Sequence, residues 1–165
     1  MEKAKKKTKI TDAVKKKLES YEILLKKIKN QKQRLNTFKA SMGSASTSNF
    51  TGVPGGSGNG ESKIERQYLK KEELEYKIKK LEREEVELLD ELEALIEQLQ
   101  DPDEQTVIEM RYIDCISWRP ISQAIYGDMP DYEENAEKYL KKSFKVHGSA
   151  LLVLAKVYQP EKMEA

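Results

Sequence analysis

Two stretches of this chain place an apolar side chain at every third or fourth position, and this spacing constrains the fold more than any other feature. Steps that alternate between four and three residues form the a/d heptad pattern, which lines one face of a helix with an apolar seam. The first seam comprises Val14, Leu18, Tyr21, Leu25, Ile28 and Leu35. The second comprises Leu74, Ile78, Leu81, Leu88, Leu92, Leu95 and Leu99. A helix with one apolar stripe needs a partner, so the two segments predict an all-α fold built on a long antiparallel helical hairpin resembling a coiled coil.

The segment between the seams, residues 40–61, contains six of the eight glycines of the chain. This composition opposes helix formation, so we predict a flexible Gly/Ser-rich linker there. It would join a first helix over 12–39, with Asp12 as its N-cap, to a second helix over 62–100, whose capping box starts at Ser62. At about 1.5 Å per residue, the second helix would be about 58 Å long.

The distribution of charge favours an antiparallel pairing of these helices. Residues 1–39 carry 14 Lys and Arg against 4 Asp and Glu. If residue 39 is paired with residue 62, the basic cluster Lys3–Lys17 lies beside the acidic stretch Glu84–Glu97. Opposite charges along a seam stabilise that orientation.

Polar residues interrupt both seams, Lys32 in the first and Glu85 in the second. Polar residues at seam positions can fix the register of paired helices. The same seams would also suit an intermolecular coiled coil, and the sequence leaves both arrangements open. Residues 1–11 precede the first seam as a basic arm, whose lysines either neutralise the acidic stretch or bind nucleic acid.

The composition argues against several classes of protein. Cys115 is the only cysteine and His147 the only histidine, which excludes an internal disulfide and argues against a zinc site or a catalytic triad. No Gly-rich phosphate loop and no nucleophile–base pair is recognisable, so we expect no catalysis, cofactor, metal or small-molecule substrate. Charged residues make up 36% of the chain, and no apolar run is long enough to span a membrane. We therefore expect a cytoplasmic protein.

Residues 101–158 are predicted to form a small domain of three helices, followed by a tail over 159–165. The first helix is expected over Pro102–Asp114, started by an Asp-Pro pair. A short second helix follows Ser117, and the third is expected over Asp131–Tyr158. Three closely spaced helices with a short middle one form the skeleton of a helix-turn-helix.

The third helix of this domain carries most of the candidate DNA-binding residues. They are Lys138, Lys141, Lys142, Ser143, Lys145 and His147, with Arg119 of the short helix in support. No acidic residue occurs between Lys138 and Tyr158. Lysines at these spacings cover a broad face that can meet phosphates or base edges. Arg119 lies near a helix N-terminus, where free backbone amides also attract anions.

Each of these residues also has a purely structural interpretation. A lysine run on an amphipathic helix is usually a solvated face. His147 falls on the apolar stripe, which favours a packed, hydrogen-bonded core histidine over a ligand. The aromatic residues most simply form the core of the small domain, and Cys115 is expected in the core or in a turn. The aromatic residues concerned are Tyr112, Trp118 and Phe144.

Residues Pro102–Val157 resemble the sigma-70 region 4-like helix-turn-helix. The matching segments are Val107–Ile113, the Ser-Trp step at 117–121 and Ala150–Leu154. The wider order of segments is similar to that of small phage and prophage regulators of Gram-positive bacteria. It runs from a helical first half through a Gly/Ser-rich gap and a Leu/Glu-rich helix to this motif, which ends in Phe144–Gly148. Some of these are RinA- or ArpU-type regulators of late genes. The resemblance implies DNA binding, control of transcription and contact with RNA polymerase.

The chain departs from this motif in two places. Gly127–Glu137 is predicted to be an acidic insertion before the third helix. Its acids would repel phosphate if they faced a DNA groove, or would instead cap the helix dipole or face a protein partner. Pro120 stands where the motif commonly has an acidic residue.

These observations lead to one main hypothesis and two alternatives. The main hypothesis is a phage-type transcriptional regulator that binds double-stranded DNA. A single module of this size binds weakly, so we expect a homo-oligomer, with a dimer favoured, or a complex assisted by RNA polymerase. One alternative is a structural or protein-interaction role for the coiled coil. The other is a DNA-recognition subunit for phage packaging, like a small terminase.

Overall fold

The computed structural model describes residues 2–44 and 62–158, with side chains described over 11–43 and 62–158. Within these ranges the chain forms helices and turns and no strand. The helices are α1 (Glu2–Ser44), α2 (Lys63–Ile96), α3 (Pro102–Ile108), α4 (Trp118–Tyr126) and α5 (Ala136–Val157). The first two pack as a hairpin and the shorter ones follow, which confirms the predicted all-α class. None of the helices in the described ranges is both long and apolar enough to cross a bilayer.

Helix α1 begins earlier than predicted. It starts at Glu2 and runs through Asp12, which was predicted to be its N-cap. The predicted basic arm over 1–11 is corrected accordingly, because residues 2–11 are helical. The physical reason is intrinsic propensity, since Lys, Glu and Ala are among the best helix formers.

The first part of the predicted linker over 40–61 is helical, and the rest lies outside the described residues. Helix α1 continues through residues 40–44, the first part of that linker. Residues 45–61, the rest of it, are outside the described residues, and so is the predicted tail over 159–165.

Helix α2 starts as predicted and ends slightly earlier. The Ser62 Oγ accepts a hydrogen bond of 3.2 Å from the Glu65 amide, one half of the predicted capping box. The helix ends at Ile96, and the turn that follows is closed by the Leu99 amide donating to the Ile96 carbonyl at 2.9 Å. Gln105 Nε2 then donates to the Leu99 carbonyl at 2.8 Å, which ties the turn to α3.

The seam of the hairpin is made of the predicted residues. Every apolar residue of the two predicted seams is buried or half-buried, and Leu18 and Leu92 are fully buried. Lys32 is exposed and forms a salt bridge with Glu82 at 2.7 Å. Glu85 is half-buried.

Salt bridges between α1 and α2 show that the pairing is antiparallel. Lys17 pairs with Glu91, and Lys39 pairs with Glu75 at 2.9 Å. The predicted register, which paired residue 39 with residue 62, placed Lys17 beside Glu84. The observed register is therefore shifted, because α1 extends beyond residue 39 before the chain turns.

The chain divides into two compact units. The hairpin unit is Leu24–Glu85, and the C-terminal unit combines the residues up to Ile23 with those from Val86 onward. This division differs from the predicted boundary at residue 101. The core of the C-terminal unit explains the difference, because it buries residues of α1 and α2 together with those of the later helices. Its fully buried members include Val14, Leu18, Leu92, Ile96, Val107, Ile121 and Leu154.

Helix α3 begins at the predicted Asp-Pro pair. The Asp101 carboxylate accepts from the Asp103 amide at 2.9 Å, and Pro102 occupies the first helical position. After Ile108 the helix widens into a π-helical turn over Glu109–Ile113. The chain then turns at Cys115, whose φ of 56° is the left-handed conformation.

The connection between α4 and α5 is irregular rather than a short turn. Gly127 ends α4, and its amide donates to the Gln123 carbonyl at 2.7 Å. A Cβ at Gly127 would lie 2.5 Å from that carbonyl oxygen, so any larger residue would force the local backbone to shift. Helix α5 then begins at Ala136 instead of at the predicted Asp131.

Candidate nucleic-acid interface

Helix α5 separates an apolar face from a basic one. Its buried positions are Tyr139, Ser143, Ala150, Leu151 and Leu154. The exposed positions include Lys138, Lys141, Lys142, Lys145 and Lys156. At about 100° per residue these lysines fall within an arc of roughly 100°, opposite the buried side chains. We call this set of five residues the lysine face.

The lysines of this face differ in how firmly they are held. Lys138 lies 3.8 Å from the Asp131 carboxylate. The Lys142 ammonium lies 4.6 Å from the centre of the Tyr139 ring, a cation–π distance. Lys141, Lys145 and Lys156 are exposed, and their side chains form no hydrogen bond or salt bridge with any described residue. Three lysines are therefore free to contact an anion, and the other two are positioned by their neighbours.

Ser143 does not belong to this surface. It is fully buried, and its hydroxyl donates to the Tyr139 carbonyl at 3.2 Å. The helical periodicity that exposes Lys142 turns the next residue towards the core. The Ser143 side chain is therefore not available to contact DNA.

His147 is also directed inward. Its Nε2 lies 2.9 Å from the Tyr112 hydroxyl, and its ring packs against Tyr112 and edge-on against Trp118. Burial lowers the pKa of His147 to about 4, and the nearby cations Lys15 and Arg111 add to this effect. His147 is thus a neutral, packed histidine in the C-terminal unit rather than a DNA contact.

An aromatic cluster surrounds this histidine. Burial raises the pKa of Tyr112 to about 12, so its hydroxyl keeps its proton at neutral pH. Trp118 packs edge-on against Phe144 with ring centres 4.7 Å apart. Phe144, predicted to lie in the core, is 44% exposed and covers the tryptophan from outside. The cluster fixes the start of α4 against the middle of α5.

Arg119 is placed at the start of α4 as predicted, but it has a partner. Its guanidinium lies 2.8 Å from the Glu137 carboxylate, and both side chains are largely exposed. An exposed pair of this kind contributes little to stability and exchanges readily with solvent. Arg119 could therefore turn to a phosphate only after leaving Glu137.

One acidic residue of the predicted insertion, Asp131, accepts hydrogen bonds that attach the insertion to α5. The Asp131 carboxylate accepts from the Tyr139 hydroxyl at 2.5 Å and from Asn135 Nδ2 at 3.2 Å. The hydrogen bond from Tyr139 lowers the pKa of Asp131 and raises the pKa of Tyr139. Asp131 therefore fastens the irregular connection to α5 instead of capping the helix.

Three features of this region were not predicted from the sequence. Tyr126, Tyr132 and Tyr139 form a second aromatic cluster, with ring centres 5.2 and 5.6 Å from that of Tyr139. Arg111 lies 5.6 Å from the Trp118 ring centre and donates to the Ile116 carbonyl at 3.2 Å. The π-helical turn is the third. The tyrosine spacing was a usable signal for the cluster, whereas nothing in the sequence distinguishes a π-helical turn from α-helix.

Fold and surface together define an all-α protein with a helical hairpin and a basic α5. Comparison with protein families shows that the chain belongs to the DUF1492 family of proteins of unknown function, which it matches over residues 42–130. The match ends before α5 and its lysine face. No significant match was found among curated proteins or among solved structures.

Proposed function

We propose that this protein binds double-stranded DNA through the lysine face of α5 and acts as a phage-type transcriptional regulator. The observation that carries the proposal is the single basic side of α5. Five lysines lie on it opposite the buried stripe, and no acidic residue occurs from Lys138 to Tyr158. A helix of 22 residues with one basic side can place several ammonium groups beside the phosphates of a duplex.

The packing around α5 supports this use of the helix. Its buried side is anchored by α3 and α4, and the aromatic contacts of Trp118 with Phe144 and His147 fix α4 on it. A rigid base of this kind lets exposed side chains meet a groove without first being ordered. The resemblance to the sigma-70 region 4-like helix-turn-helix is a second support, and it extends the proposal to contact with RNA polymerase.

The acids before α5 limit the affinity that one copy can reach. Glu133 and Glu134 are exposed, and Glu137 holds Arg119. These carboxylates reduce the attraction of the helix start for phosphate. We therefore expect the active form to be a homo-oligomer, with a dimer favoured, or a complex assisted by RNA polymerase.

The test is a salt series of DNA binding. The probe is a fluorescent duplex of about 30 base pairs, about three turns of B-DNA, taken from promoter-proximal phage DNA, beside a duplex of scrambled sequence. Lys141→Ala, Lys142→Ala and Lys145→Ala are combined in one variant. If each lysine neutralises one phosphate, the slope of log K against log salt becomes shallower by about 2.7. The matched control removes three lysines from the hairpin unit, with Lys26, Lys27 and Lys29 replaced by alanine.

The two variants lose the same charge, so they separate a site from a general electrostatic effect. The proposal predicts a loss in the α5 variant that clearly exceeds the loss in the control. Unchanged affinity in the α5 variant, or an equal loss in both, would exclude the lysine face as the DNA contact. Absence of any binding to either duplex at low salt would favour the protein-interaction role.

A further inference from the structure

The outer side of α2 in the hairpin unit carries an exposed row of residues that the hairpin does not use. We call it the tyrosine face. It consists of Glu65, Tyr68, Glu72, Tyr76, Lys79 and Arg83. The steps between them are three or four residues, so these side chains share one side of the helix. Tyr68 is 56% exposed and Tyr76 is 66% exposed.

This face lies away from the hairpin seam. On the same helix, Leu74 and Ile78 are buried against Leu35 of α1. Ile64 and Leu69 border the tyrosine face and are also more than half exposed. Helix α2 therefore has an apolar seam on one side and a second set of large apolar and aromatic side chains on the other. Such a surface is typical of a contact with another protein.

The charges of the tyrosine face follow a simple order. Its acids, Glu65 and Glu72, lie in the first half, and its bases, Lys79 and Arg83, lie in the second. None of the four side chains forms a salt bridge within the part of the chain that the structure describes. A surface that is acidic at one end and basic at the other is complementary to itself when one copy is reversed.

We infer that the tyrosine face joins two copies of this chain as an antiparallel dimer about a two-fold axis near Tyr76. In this register Glu72 meets Lys79 of the second copy, and Tyr68 meets the second copy's Arg83. The first contact is an ion pair and the second a cation–π pair, and the two-fold axis repeats both. A parallel pairing would instead place Glu72 beside Glu72 and Lys79 beside Lys79, so repulsion between like charges disfavours it.

The size of the face indicates a reversible dimer. Glu65 to Arg83 spans roughly 27 Å at about 1.5 Å per residue, along a single helix. That surface is smaller than the about 800 Å² per partner of a standard stable interface. The monomer–dimer equilibrium is therefore expected at micromolar protein concentrations, and sedimentation equilibrium of the full chain without DNA measures it directly.

Charge variants test the contact. Glu72→Lys and Lys79→Glu should each raise the dissociation constant about tenfold or more, because each places like charges opposite one another twice. Combining the two should restore the constant to within about threefold of the natural chain. Lys26→Glu, on the exposed side of α1, is the matched charge reversal and should leave it unchanged. Far-ultraviolet circular dichroism of every variant checks that the helices are intact.

Cysteine cross-linking tests the orientation. In a background of Cys115→Ser, Tyr76→Cys places two thiols about 1.5 Å apart along the axis, whereas Glu65→Cys places them about 30 Å apart. A disulfide needs Cα atoms within about 7 Å of each other. Mild oxidation should therefore give a covalent dimer with Tyr76→Cys and none with Glu65→Cys.

Three results would overturn the inference. They are a monomer throughout the micromolar range, failure of the Glu72→Lys and Lys79→Glu combination to restore association, and cross-linking of both cysteine variants, which would mean a parallel pair. All of these measurements are made without DNA. The dimer and the proposed DNA contact can therefore fail separately.

Discussion

The burial of His147 predicts that this protein loses stability between pH 7 and pH 5. His147 is the only histidine of the chain. In the native protein burial lowers its pKa to about 4, whereas the pKa in the unfolded chain is near 6.5. The cations that face the ring, Lys15 and Arg111, act in the same direction. The fold therefore prefers the neutral form, and protonation favours the unfolded chain.

The sign and size of the effect follow from these two pKa values. The stabilisation is fully present above about pH 6.5 and is lost as the pH falls towards 4. At pH 5 the unfolded chain is almost fully protonated at this site and the native chain is not. For a fully buried group, a pKa difference of this size corresponds to about 2 kcal/mol at that pH. Because His147 is only half-buried, solvent screens part of it, and we expect about 1 kcal/mol.

Urea unfolding at pH 7, 6 and 5 measures this loss. The comparison is with His147→Phe, which keeps an aromatic ring against Tyr112 and Trp118 but cannot be protonated. The constant cost of losing the hydrogen bond to Tyr112 cancels, because only the change with pH is compared. The natural chain should lose about 1 kcal/mol more than the variant between pH 7 and pH 5. Equal losses in the two proteins, or a native His147 pKa near 6.5 in an NMR titration, would refute the reasoning.

Three further predictions concern stability. Leu18→Ala should lower the free energy of unfolding by about 2 to 5 kcal/mol, because it opens a cavity at a fully buried position. Gly127→Ala should be destabilising, by about 1 to 3 kcal/mol, because the added Cβ collides with the Gln123 carbonyl; thermal unfolding measures both. Ser143→Ala should cost about 1 kcal/mol through loss of its buried hydrogen bond to Tyr139 and should leave DNA affinity unchanged in the same salt series.

Matched controls exist for the first two of these changes. Ile23→Ala removes an exposed apolar side chain from the same helix as Leu18 and should change stability little. Gly148→Ala lies in α5, where a Cβ meets no atom within 4 Å other than the backbone of its own helix, so it should be neutral or stabilising. If Leu18→Ala is as mild as Ile23→Ala, or Gly148→Ala as damaging as Gly127→Ala, the described packing is wrong. A loss of DNA affinity in Ser143→Ala would indicate that Ser143 does belong to the DNA-binding surface.

The antiparallel pairing of α1 and α2 was predictable because both of its causes are periodic in the sequence. The spacing of residues such as Leu18 and Leu92 marks the seam, and the opposite charges of the two segments favour a reversed partner. The register was not predictable to the same degree. It depends on where α1 ends, and the glycine content of residues 40–61 suggested too early an end.

The candidate site was likewise predictable only in part. Periodicity places Lys141, Lys142 and Lys145 on the outer side of α5, because burial of Leu151 and Leu154 fixes the inner one. The same periodicity could have excluded Ser143, which lies one turn before the inward-facing His147. Periodicity could not reveal the ion pair of Arg119, since its partner Glu137 is distant in sequence and close only in the folded chain.

The sequence by itself determined that this protein is helical, that two of its helices pair, and that one later helix has a basic side. These properties depend on helix propensity and on the side-chain period of a single helix, which are local. Only the tertiary structure decided that residues up to Ile23 share a compact unit with the later helices, and that His147 meets Tyr112 in its interior. Such contacts join residues far apart in the chain, and they depend on how several faces fit together at once, which no local pattern specifies.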